Sequence, residues 1–205
     1  MFPDSLPQSV KHVELRKTTT KSTEGVVDEH YQLIIDDNEI RSKTRNILEY
    51  RVADQEPYTS RCDLSSSEDT IFKHFVDLVL RSKVEIEECK IFWQCPNWLL
   101  NREFLIDTSS LIIGPYNLGS GADQDWIRKV NPQLLKKVKI EQFSTENSPI
   151  IERIGRIGVI SQVQTFICEA MCDIDTVDLV NMAASEIQLR HASRIQEEAV
   201  NRVLR

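Results

Sequence analysis

The chain has 205 residues, a formal charge of −7, 40% apolar and 28% charged residues. That size allows one domain, or one and a half, with a full core, and the composition is globular rather than disordered. The negative charge argues against a nucleic-acid partner, which needs a basic face to displace counterions.

Residues 10–17 alternate Val13 and Leu15 with His12, Glu14 and Arg16, and predict an edge or half-buried strand. The Thr, Lys and Ser of residues 17–24 predict an exposed loop. Tyr31, Leu33 and Ile35 predict a strand over residues 30–36. Asp36-Asp37-Asn38 then marks a turn, because these side chains bond back to their own backbone. Residues 40–52 are ambiguous, with a third strand placed at 46–52, and polar residues 54–67 predict a linker. The boundaries that follow are an N-terminal antiparallel strand portion over 1–53 and a repeat-like α/β domain over 65–205, the two expected to form one continuous structural unit.

The clearest local signal is a helix over residues 70–82. Ser65-Ser66-Ser67-Glu68 offers a capping hydroxyl with a carboxylate three residues on. Ile71, Phe72, Phe75, Val76 and Val79 then recur at helical spacing and leave Lys73, His74, Asp77 and Arg81 for water. Strand-like runs follow at 86–93, 110–115 and 135–142. Pro96 stops the first, and Trp98, Leu99, Leu100, Phe104, Leu105 and Ile106 form an apolar return beneath the second. Asp123 is placed to cap a short helix carrying Trp126, Ile127 and Val130 inward, before Pro132. In the third run Lys136, Lys137 and Lys139 read as solvated strand positions. Ile150, Ile151 and Ile154 suggest a helical turn or irregular return. Residues 157–163 predict a fourth strand, and 165–172 a helix with Cys168 and Cys172 one turn apart. Residues 176–182 and 186–191 are the last strand candidates, and Ser193 opens a final helix lined by Ile195, Ala199, Val203 and Leu204. Short strands every twenty-odd residues with helical or irregular returns predict a leucine-rich-repeat-like stack, the final helix shielding its last core face.

Chemistry is scarce in this pattern. Met1-Phe2-Pro3-Asp4 lacks the regions of a signal peptide, and no apolar run approaches the ~20 residues that span a bilayer. Cys62, Cys89, Cys95, Cys168 and Cys172 have no framework spacing, so free thiols in the cytoplasm or nucleus are expected. Cys168 and Cys172 lack the second pair of ligands a zinc site needs, and read as small apolar side chains. His12, His30, His74 and His191 fall on separate elements, although a Cys–His enzyme can assemble partners distant in sequence. Gly119-Ser120-Gly121 lacks the ending of a phosphate-binding loop and reads as a turn. No catalytic residue, cofactor or metal is therefore expected. Trp93 and Trp98, flanking a Cys-Pro turn, and Tyr116 are the partner-binding candidates, because Trp and Tyr are enriched at interface hot spots. Trp126 reads instead as packing.

Phe72 to Leu80, then Arg81-Ser82-Lys83 and the run from Val84 to Trp93, resemble a nematode-expanded domain family of unknown function related to nematode F-box-associated domains. Cys95-Pro96-Asn97-Trp98-Leu99-Leu100 stands where that family has a leucine-arginine-leucine-proline type segment. Asn147-Ser148-Pro149-Ile150-Ile151 is similar to another of its phrases, and Leu6-Pro7 to Leu15 and Tyr31 to Ile35 to its opening strands. The resemblance implies a recognition domain that binds a protein partner as substrate receptor of a cullin-type ubiquitin ligase. Two features depart from the family: no F-box of three short helices precedes the repeats, and the closing Trp-Ile segment is absent after Ile195. The expected function is a non-enzymatic protein-interaction domain; the alternative is a thiol-dependent enzyme of unrecognised class.

Overall fold

In the computed structural model the protein is mixed α/β, mostly strands with few helices. The structure describes residues 9–21, 27–62, 66–82, 84–101, 103–114, 122–141 and 157–194. The chain divides into two compact units, Met1–Trp93 and Gln94–Arg205.

In the first unit, β1 (Ser9–Lys21), β2 (Val27–Ile35), β3 (Asn38–Thr44), β4 (Ile47–Arg51) and β5 (Tyr58–Arg61) pair consecutively and antiparallel. Helix α1 (Ser67–Ser82) then returns the chain so that β6 (Glu85–Phe92) joins β1 in parallel, giving the order β6-β1-β2-β3-β4-β5. Of the two alternatives, edge or half-buried, the first strand is the second: it is central, with Val13 and Leu15 buried, and it continues to Lys21 where a loop is expected. The ambiguous stretch is two strands, β3 and β4, and β5 lies inside the supposed linker. The expected boundary at 54–64 is therefore replaced by one after Trp93. Its physical reason is that α1 packs on β2 and β3, and β6 completes β1, so both belong with the N-terminal strands.

One face of this sheet is apolar. Val13, Leu15, Leu33, Ile35, Ile40, Leu48, Cys89 and Ile91 are buried, as are Ile71, Phe72, Phe75, Val76, Leu78 and Val79 of α1. Ser66 Oγ accepts from the Asp69 N–H at 3.2 Å and donates to the Asp69 carboxylate at 2.9 Å, which caps α1; Ser65 lies outside the described residues. His74, expected in water, is instead half-buried, with Nε2 3.3 Å from the Tyr50 hydroxyl. The other face is a grid of charges. Arg16, Gln32, Arg41 and Glu49 line up across β1 to β4, and Glu49 is held by Arg51 at 2.9 Å and Arg41 at 3.0 Å. Those two guanidinium groups keep the Glu49 carboxyl below its ordinary range.

The second unit contains α2 (Asn97–Leu100), β7 (Thr108–Ile113), α3 (Ala122–Arg128), β8 (Lys137–Ile140), a 3-10 turn (Ile160–Gln162), β9 (Thr165–Asp175), α4 (Thr176–Asn181) and β10 (Glu186–Arg194). Strands β7 to β10 are parallel and adjacent in chain order. Their register repeats: Leu111, Val138, Phe166 and Ile187 stand side by side, as do Ile113, Ile140, Cys168 and Leu189. The backbone repeats too, with Lys136 N–H donating to Ser109 O at 2.9 Å, Gln164 N–H to Lys136 O at 2.8 Å, and Ser185 N–H to Gln164 O at 2.9 Å. A buried triplet of one spacing, position i with i+3 and i+5, recurs at β7, β8 and β9: Thr108, Leu111, Ile113; Leu135, Val138, Ile140; Val163, Phe166, Cys168. Ile86, Cys89 and Ile91 of the first unit obey the same rule.

Several expectations fail in this unit. Residues 157–163 hold the 3-10 turn rather than a strand, and 165–172 are strand β9 rather than a helix. Phe166, Cys168, Ala170, Cys172 and Ile174 are buried in strict alternation, a period of two that the four-residue spacing of the cysteines obscures. Residues 176–181 form helix α4, not a strand, because Asp175 Oδ1 accepts from the Asp178 N–H at 2.8 Å while the Asp178 carboxylate accepts from the Asp175 N–H. Ser193 and Arg194 lie in β10 instead of opening a helix, and 195–205, Gly119-Ser120-Gly121, Ile150, Ile151 and Ile154 lie outside the described residues. Helix α3 begins at Ala122, so Asp123 is already inside it. Trp126, Ile127 and Val130 are buried as expected.

Candidate functional site

The first unit contains an open trough of about 900 Å3. It exists because neighbouring strands end at different heights. Strands β1 and β2 stay paired out to Lys21 and Val27, whereas β3 is in register with β2 only from Asn38 to Arg41. At that point the Tyr31 N–H donates to the Ser42 side-chain Oγ at 2.8 Å, and β3 turns away. The far wall is the start of α1, anchored by Ser67, whose Oγ donates to Thr44 O and Arg45 O at 2.7 and 2.9 Å. Residues 27–31, 42–45 and 66–68 line the space.

Tyr31 forms the inner end. Its ring stacks on Trp93 at 4.7 Å, Trp93 lies against Phe72 at 4.0 Å, and Lys17 Nζ sits 5.3 Å from the Tyr31 centroid. Its hydroxyl donates to the Glu29 carboxylate, and Glu68 lines the same space. Burial, then the Glu29 hydrogen bond and the Glu68 charge, push the Tyr31 phenol well above its ordinary range. Hydrogen bonds from Lys17, at 2.6 Å, and from Tyr31 hold the Glu29 carboxyl below its own. A phenol committed as donor to a carboxylate is a poor general base.

The expected partner-binding residues do not converge here. Trp93 is buried at 4% exposure, which removes it as a contact residue and makes it the platform under Tyr31. Trp98, on α2 of the second unit, is 41% exposed, and Tyr116 lies outside the described residues. Leu99, Phe104 and Ile106 of the apolar return are buried, whereas Leu105 is exposed. Sequence reading missed the trough because it arises where two paired strands outrun a third, which no local pattern records. The one available signal was the Thr-rich run after Lys17, β-branched residues that extend a strand rather than form a loop.

The thiols divide clearly. Cys89, Cys95, Cys168 and Cys172 are buried, and burial pushes Cys89 and Cys95 up to about 12. Cys168 is raised by its hydrogen bond with Cys172 and by burial. Only Cys62 is not buried, and it lies close enough to Tyr50 to raise that phenol, after burial and Tyr58. Among the described residues no cluster of His, Cys, Asp and Glu could hold a metal ion, and no helix is long and apolar enough to cross a membrane.

Compared with known proteins, the chain matches no family model, and neither a curated protein nor a solved structure matches it.

Proposed function

We propose that the chain is a non-enzymatic protein-interaction domain, and that its parallel strands are a stack of leucine-rich-repeat type. The repeated i, i+3, i+5 burial and the recurring backbone bond before β8, β9 and β10 support the stack. The observation that carries the function is the trough, a polar cleft beside an open strand edge whose one phenol is tied to a carboxylate. The resemblance to F-box-associated domains supports a receptor role in a cullin-type ubiquitin ligase as the context for such binding.

The competing reading is a thiol enzyme, and Cys62, beside the Tyr50–His74 pair, is its candidate nucleophile. The full chain, immobilised and exposed to a nematode lysate, separates the two. The interaction reading expects polypeptides that free chain competes off and that survive prior alkylation of Cys62; cullin components among them support the receptor role. No competed polypeptide, together with iodoacetamide labelling of Cys62 faster than a free thiol, reverses it.

A further inference from the structure

Backbone geometry tells which edge of the trough is open. The Asp36 N–H donates to His12 O, so even-numbered residues of β2 point their backbone groups at β1. Odd-numbered residues point the other way. Ile35 and Leu33 meet β3, Tyr31 meets Ser42 Oγ, and Glu29 and Val27, next along, have no strand beside them among the described residues. Their N–H and C=O groups face the trough that Ser42, Lys43, Thr44 and the start of α1 keep open. An uncovered edge of this kind is a template for another strand.

We infer that the trough is a strand-addition site, where an extended segment of a partner protein carrying Lys or Arg pairs with β2 at Val27 and Glu29. The inference rests on the interaction-domain reading and names what that domain takes. Backbone pairing supplies the affinity in this mode, and alternate side chains supply the choice of segment. On the α1 side of the strand, the partner's side chain meets Glu29, Glu68 and the Tyr31 hydroxyl, two carboxylates and a phenol whose proton is donated to Glu29. Glu29 has 44% of its side chain exposed, and among the described residues the cation that pairs with it, Lys17, approaches from β1. The trough's own cations are Lys43, near the end of β3 and already 3.8 Å from Glu49, and Arg45 in the turn after it. A basic side chain fits that wall and an acidic one does not. A second copy of this chain fits less well, because antiparallel pairing centred on Glu29 would set two Glu29 carboxylates opposite each other.

The test is selection of a random dodecapeptide display library on the full chain. Enriched peptides are then measured by titration, with single backbone N-methylations. The inference expects alternating β-branched sequences with Lys or Arg on one face. N-methylation should weaken binding about tenfold at every second position and little between them. Val27→Pro, at the start of the strand where its N–H bonds nothing in the sheet, should abolish binding while leaving the thermal midpoint and circular dichroism unchanged. E29Q/E68Q should lose the preference for Lys over norleucine but keep the N-methylation pattern. Peptides insensitive to N-methylation and to Val27→Pro overturn strand addition and leave the interaction domain standing. No enriched peptide alongside a competed lysate partner also overturns it. If neither binds, both readings fall.

Discussion

The two units bury apolar surface by different means. In the first, specificity runs across strands: aromatic stacking under Tyr31 on one face, and paired charges such as Arg41 with Glu49 on the other. In the second it runs along the chain, since the burial triplet recurs at β7, β8 and β9 and the backbone bond recurs before β8, β9 and β10. A repeated solution leaves little room for irregularity, whereas a sheet of unequal antiparallel strands leaves an overhang. The trough is therefore a product of the first unit's architecture.

The largest test of that contrast is core truncation on each side. Phe72→Ala should destabilise the first unit by about 3–5 kcal/mol, read by denaturant unfolding with Trp93 as reporter. Phe166→Ala should do the same in the second, followed through Trp126. Losses well under ~1 kcal/mol in either would mean that unit's core is not packed as described. Next in size, Asp175→Ala removes the capping box of α4 and should cost about 1 kcal/mol. A neutral result would show that repeat packing, not the cap, holds this short helix.

Acidity separates the units further. Burial lowers the His74 pKa from 6.5, so the unfolded chain binds a proton there that the folded chain refuses. Stability should fall as pH drops below about 6.5, then level once His74 protonates in the folded state, and His74→Gln should flatten that limb. Glu29 and Glu49 have the depressed carboxyl values, so their stabilisation is present above 4.5 and lost as pH falls through their folded values. Both limbs should appear in Trp93 fluorescence. The smallest effect is expected at Ser110, whose Oγ is buried without a hydrogen-bond partner among the described residues. Ser110→Ala should be neutral or stabilising by up to ~1 kcal/mol, since it deletes an unpaired hydroxyl.

What the sequence disclosed follows the same divide. Helix α1 and strands β6, β7 and β8 were legible because their apolar spacing is strong and local. Strand β9 was read as a helix because Cys168 and Cys172 share both a period of four and a period of two. Helix α4 was read as a strand because Thr176, Val177 and Val180 are β-branched, while its reciprocal Asp175–Asp178 cap was overlooked. The triplet spacing was present in the sequence, but Thr108 and Cys168 replace larger aliphatic residues and blur it. Trp93 was chosen for its residue type; its stacking partners Tyr31 and Phe72 are far off in sequence, and only tertiary structure reveals its burial. Strand β5 has no apolar alternation to announce it.

Strand addition at Val27 and Glu29, where no described strand pairs with the β3 side of β2, is the step on which the binding mode depends. Amide hydrogen exchange of the full chain, with and without a peptide selected as above, tests it residue by residue. Val27 and Glu29 should exchange fast alone and slow on binding, while Asp28 and His30, already bonded to β1, do not change. Protection of Asp28 and His30 instead, or of none of the four, would contradict it.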